Sequence, residues 1–161
     1  AVWTCGQLNR LGLGNETKMK DVFTDFDGDT YVYQPRVINY FTENGIEIKD
    51  IACGIQHNLA LDMDGKVYYW GISGKHNPDK RGDFGIIYEP KLMKQFDKYV
   101  VDVIKCGSMH SYVRTSCNKH FMFGSNGDNE CMVFDGDGME VDHIHFDDAI
   151  NGPNRVAEII K

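Results

Sequence analysis

The chain has 161 residues, 42% of them apolar and 25% charged, with a formal net charge of -7, enough material for one medium-sized domain. No run reaches the roughly eighteen apolar residues that cross a bilayer, and the start, AVWTCGQLNR, lacks a charged leader followed by an apolar core. Lys and Arg are not clustered as a phosphate grip requires, so neither a membrane nor direct nucleic-acid binding is expected.

Five cysteines (Cys5, Cys53, Cys106, Cys117 and Cys131) form no C-x-x-C pair. A chain this long does not need disulfide staples, so a reducing, intracellular setting, cytoplasmic or nuclear, is expected. The sequon at Asn15-Glu16-Thr17 would matter only in a secreted protein. The charge is uneven: Ser125 to Gly152 holds eight acids and no Lys or Arg, and the remainder sums to +1.

In chain order, Val2 to Gly6 comes first, and its pattern returns at Val67 to Gly71. Pro35-Arg36-Val37-Ile38 follows a long insertion. Lys49 to Ala52 carries an alternating apolar set and reads as a strand, Gly54 as a sharp turn, and His57 to Leu61 as the returning strand. Asp62-Met63-Asp64-Gly65 has hairpin-turn chemistry, and Val67 to Trp70 makes a third strand. Helical periodicity is not sustained anywhere, the best candidate being Lys91 to Tyr99, short and just after a proline.

Moving the sequence by 53 positions lays 48–71 on 101–124 without a gap. Cys53/Cys106, Gly54/Gly107, His57/His110, Lys66/Lys119 and Gly71/Gly124 are identical, and Trp70 meets Phe123. Gly6 and Gly65 complete the glycine and turn signature. A proline accompanies each unit, at Pro35, Pro90 and Pro153, and the approximate units are 1–52, 53–105 and 106–161 of a single domain. Units of about fifty residues made of short strands point to an all-β propeller or a similar radial array.

Ile48 to Leu61 (I-x-x-I-A-C-G-x-x-H-x-L-A-L) and Asp64 to Gly71 (D-G-K-V-Y-x-W-G), preceded by P-x-x-V at Pro35, resemble the regulator of chromosome condensation repeat. VWTCGQLNRLGLG is similar to that family's W-G-x-N-x-x-G-Q-L-G-L-G segment, shortened and with Cys5 at the tryptophan position, and GSNGDNECMV (124–133) is similar to a diverged copy. There is no Trp-Asp ending and no Gly-Gly pair of the kind other propellers carry. The third unit departs from the pattern, with Arg114 at a usually apolar position and Asn118 at the turn glycine. The resemblance implies a seven-bladed ring of about 350 residues at about fifty per blade, so this chain is expected to be an incomplete ring of about three blades, part of a longer protein. An open arc would leave unpaired strand edges.

Cys53 with His57, and Cys106 with His110, have the residue types of a nucleophilic dyad or a zinc site. Such a site is built once, whereas these pairs recur, so they are expected to be structural and no catalytic residue or metal site is expected. DFDGD (25–29), DMDGK (62–66) and DGDG (135–138) invite a calcium reading. They place glycine at position four rather than six and lack a glutamate at twelve, so they read as turns. His143 and His145 with Asp142 and Asp147 form one short cluster with weak metal character.

From closing glycine to next proline the spacings are 29, 19 and 29 residues (Gly6 to Pro35, Gly71 to Pro90, Gly124 to Pro153). Equivalent loops emerge on equivalent parts of a ring, so the first and third insertions should share a face. Asp25, Asp27 and Asp29 in the first, and Asp135, Asp137, Asp142, His143, His145 and Asp147 in the third, are the candidate partner-binding residues. The expected function is a non-enzymatic protein-interaction scaffold without cofactors. The resemblance implies as partners a small GTPase, a chromatin protein or the ubiquitin machinery. Its alternatives are guanine-nucleotide exchange and substrate recruitment within a larger ubiquitin ligase. No G-x-S-x-G, H-E-x-x-H or phosphate-cradling glycine loop is present.

Overall fold

A computed structural model describes residues 1–14, 22–72, 86–108, 110–124 and 139–141. Three antiparallel sheets follow one another along the chain. The first contains β1 (Trp3–Gln7), β2 (Val22–Thr24) and β3 (Thr30–Val37) in the order β1-β3-β2. The second is a meander of β4 (Ile48–Cys53), β5 (His57–Asp62), β6 (Val67–Ile72) and β7 (Ile86–Leu92). The third repeats it with β8 (Val101–Cys106), β9 (His110–Thr115), β10 (His120–Gly124) and β11 (Met139–Val141). The sheets are open, and the expected all-β, partly built propeller is what forms.

The repeat extends to strand register. Ile48↔Asp62, a bulge, then Asp50↔Leu61 in the second sheet becomes Val101↔Thr115, a bulge, then Val103↔Arg114 in the third. Trp3↔Val37, a bulge, then Gly6↔Val32 becomes Tyr68↔Leu92, a bulge, then Gly71↔Ile87. Gly6 and Gly71, at the equivalent bulged points, both have positive φ (121° and 109°), which a side chain would resist. Pro35 and Pro90 lie inside β3 and β7 beside these bulges, where a missing N–H costs no ladder bond.

Short linkers join the sheets, and the sequence pattern did not disclose them. After β3 comes a five-residue helix, α1 (Asn39–Glu43); after β7, a single 3-10 turn at Lys94–Phe96 stands where a helix over Lys91 to Tyr99 was the best candidate. The two are equivalent. Ile38 donates its N–H to Val2 O, and Met93 donates its N–H to Val67 O (2.9 and 2.8 Å).

The core lies between sheets rather than within them. Between the first and second, Val2, Ile38, Phe41, Ala60, Tyr68 and Trp70 pack together. Between the second and third, the equivalent Val67, Met93, Phe96, Val113, Phe121 and Phe123 do the same, joined by Leu59, Leu61, Tyr69, Val101, Ile104 and Cys106. One aromatic plug serves each interface: Phe41 meets Tyr68 and Trp70 at 5.6 and 5.9 Å, and Phe96 meets Phe121 and Phe123 at 5.3 and 5.9 Å. Burying each such ring is worth on the order of 1.5–3 kcal/mol. β5 and β6 are covered on both faces, which is why NLAL and VYYW read as nearly continuous apolar runs.

Arg114, the odd residue of the third unit, occupies the position of the fully buried Leu61. It is compensated by Asp102 on β8: Nε donates to Oδ1 at 3.1 Å and Nη2 to Oδ2 at 3.2 Å. Asn118 adopts the left-handed conformation (φ 61°) that Gly65 takes in the second unit (φ 80°), a conformation asparagine tolerates better than most residues.

Candidate interaction surface and the buried Cys/His pairs

His57 opens β5 and is buried, its ring lying between the second and third sheets. Its Nε2 shares a 2.9 Å hydrogen bond with the hydroxyl of Ser111 on β9, and its ring stacks near-parallel on Tyr69 (6.2 Å, 22°). Gly54 is where it is because the ring needs the space. A Cβ there would overlap the imidazole and stand 2.7 Å from Gly107 O. Gly107 bears the same relation to the His110 ring. Turns are closed alike in both units, by Gly54 N–H to His57 O (2.8 Å) and Gly107 N–H to His110 O (2.9 Å). Burial, with His110 nearby, pushes the His57 imidazole down to about 4, so it is neutral at pH 7.

Cys106 is buried, and its Sγ lies 3.9 Å from Ser111 Oγ. Burial pushes its thiol up to about 12, outweighing the Ser111 hydrogen bond, and partial desolvation also raises Cys53. The thiolate is the reactive form, so neither cysteine is a prepared nucleophile, and each histidine is spent on packing. Among the described residues, no group of three or more His, Cys, Asp or Glu is placed to hold a metal. Ser111 is the residue that sequence reasoning missed. Its signal was faint: it follows His110 where Asn58 follows His57.

The acidic turns have one shared geometry. Asp62 Oδ1 accepts from Asp64 N–H and Lys66 N–H (3.0 and 2.8 Å), and Gly65 N–H donates to Asp62 O. Asp25 Oδ1 accepts from Asp27 N–H and Asp29 N–H (3.0 and 2.9 Å), and Gly28 N–H donates to Asp25 O. In the third unit Thr115 Oγ1 accepts from Lys119 N–H (3.0 Å). Asp25 is therefore committed to the turn between β2 and β3, while Phe26 at its tip is fully exposed. Arg10, in the turn after β1, ties the first sheet to the second: its Nη1 donates to Ile55 O (3.2 Å), and Asn58 Nδ2 donates to Arg10 O (2.8 Å).

Trp70 is buried, with Gly12 (φ 74°) so close that a Cβ would stand 2.8 Å from the indole. By register Gly71 on β6 lies opposite His57, and Gly124, the last residue of β10, lies opposite His110. Asp135, Asp137, Asp142, His143, His145 and Asp147, with Pro153, lie outside the described residues.

The sequence from residue 1 to 61 matches the regulator of chromosome condensation (RCC1) repeat, and a second description of that repeat matches 48–76. The chain belongs to the RCC1 repeat family. It is 26% identical over 124 residues to a probable E3 ubiquitin-protein ligase, HERC6, of Homo sapiens, covering 77% of this chain and 11% of that protein. It is 31% identical to the ultraviolet-B receptor UVR8 of Arabidopsis thaliana over 68% of this chain and 21% of that one. Among solved structures, Prp20p of Saccharomyces cerevisiae superposes with a TM-score of 0.58 at 18% identity, over 86% of this chain and 32% of that chain. Human WBSCR16 gives 0.57 at 18%, over 87% and 33%. The chain thus spans about a tenth to a fifth of these two relatives and about a third of these RCC1-like structures. No helix among the described residues is long and apolar enough to cross a membrane.

Proposed function

We propose that this chain is a non-enzymatic, RCC1-type interaction scaffold whose insertions on one face bind a basic protein partner. The observation that carries the reading is the fate of the Cys/His pairs. The groups with reactive chemistry are consumed in packing, while Asp27 and Asp29 of the first insertion stand exposed on a hairpin whose turn Asp25 fixes. A surface of this charge steers a basic partner and loosens with salt. Solved structures of yeast Prp20 include one bound to Kap60 and one described with its binding properties to Gsp1p and histones, and histones are basic proteins.

The likeness to relatives named as E3 ligases favours a second form of the same reading, in which the propeller recruits substrates for a ligase domain elsewhere in the complete protein. Guanine-nucleotide exchange on a small GTPase is the competing activity. A nucleotide-release assay with the complete protein separates them: a scaffold leaves the release rate unchanged, and acceleration would refute the scaffold reading. Partner affinity should fall steeply as salt rises, and a salt-insensitive complex would contradict the acidic-face mechanism.

A further inference from the structure

Several apolar side chains are exposed, and the repeat explains most of those on the sheets. Trp3 is 62% exposed, yet its equivalent Tyr68 is covered by α1 of the preceding sheet. Ile51 is 49% exposed, yet its equivalent Ile104 is buried beneath the preceding unit's inner strands. Tyr33 corresponds to the half-buried Tyr88. These residues lie on the face that a further unit would cover.

Phe26 is different. Phe23, on β2, packs at 5.9 Å on Tyr33 and shares its face, whereas Phe26, in the β2–β3 turn outside β3 at the rim of the first sheet, touches open solvent on all sides. No strand of the second sheet among the described residues corresponds to β2. Tyr31 is the last β3 residue paired with β1, so the base of the turn at Asp29 stands roughly 7 Å beyond that ladder at about 3.3 Å per residue. The Asp25 carboxylate, holding two backbone N–H groups, fixes the turn and therefore the direction of Phe26. Residues 22–34 contain Asp25, Asp27 and Asp29 and no Lys or Arg.

We propose that the β2–β3 hairpin is the docking element, with Phe26 as its anchor, and that its occupant is a Lys- and Arg-bearing segment of a protein partner. This rests on the scaffold reading and assigns it a surface. The fit is chemical: an exposed ring face attracts ammonium and guanidinium groups, flanking carboxylates add attraction over a short range, and a prefixed turn lowers the ordering penalty of binding.

The test is fluorescence anisotropy of a labelled peptide of repeated Lys-Arg-Gly-Ser, titrated with the complete protein at low and at physiological salt. Phe26→Ser should weaken binding about tenfold or more. Asp27→Asn with Asp29→Asn should weaken it and flatten its salt dependence. Met63→Ser, at the same place in the like-built turn between β5 and β6 and also exposed, should bind as the wild type does. Salt-dependent binding that the hairpin variants leave intact overturns the hairpin assignment while the scaffold reading stands. Failure of the wild type to bind at low salt overturns both.

Discussion

Replacing His57 with alanine separates an architectural histidine from a reactive one. The change removes a buried ring that fills the space beside Gly54, stacks on Tyr69 and hydrogen-bonds the fully buried Ser111 hydroxyl at 2.9 Å. Leaving Ser111 short of a partner costs about 1–3 kcal/mol, and the cavity adds about 2 kcal/mol on the pattern of large-to-small core changes. A total of about 3–5 kcal/mol is a large share of a typical stability of about 5–15 kcal/mol. At about 2–4 °C per kcal/mol for a domain of this size, calorimetry of the complete protein should find Tm lowered by roughly 10 °C. A cycle with Ser111→Ala isolates the hydrogen bond: the two changes should fall short of additivity by about 1 kcal/mol or more. A His57→Ala protein that melts with the wild type, or one that keeps its stability and loses an activity, would refute the structural role.

Three further outcomes follow from the same geometry. The folded state holds His57 at about 4 against an ordinary 6.5, so between those pH values the unfolded chain binds the extra proton. Its share of stability is intact above about pH 6.5 and falls by up to roughly 3 kcal/mol as pH drops toward 4; urea melts across this window should show that slope in the wild type and lose it in His57→Gln. Cys106, buried with its thiol pushed up to about 12, should resist iodoacetamide at pH 8 in the folded protein and alkylate on unfolding, as peptide mass mapping would reveal; rapid native labelling would contradict its burial. Asn118→Ala should destabilise by about 1 kcal/mol, and Asn118→Gly should not, because the positive φ penalises a Cβ that no local hydrogen bond offsets; equal melts for the two would mean the turn had relaxed.

The blades were readable because local chemistry recurs along the chain: glycine before histidine in the second and third sheets, an Asp-x-Asp-Gly turn in the first and second, and apolar runs where both faces are covered. The linkers were not. Asn39–Glu43 and Lys94–Phe96 are too short to carry helical periodicity, and their shared element is one buried ring, Phe41 or Phe96, held by packing between sheets. The role of Ser111 was hidden for the same reason, since its partner lies 54 positions away on another sheet. At the candidate surface, composition located the acids but not their division of labour. Asp25 spends its carboxylate on the backbone and Phe26 is what projects, a distinction that only the turn's hydrogen bonds reveal.

Hydrogen–deuterium exchange on the complete protein, with and without the basic peptide, tests most directly whether recognition lies on the surface or at the Cys/His pairs. Protection should appear across residues 22–34, with exchange around Gly54 to His57 and Gly107 to His110 unchanged. Protection centred on those inner turns, with the hairpin unaffected, would contradict the surface assignment and return the Cys/His pairs to consideration as a binding site.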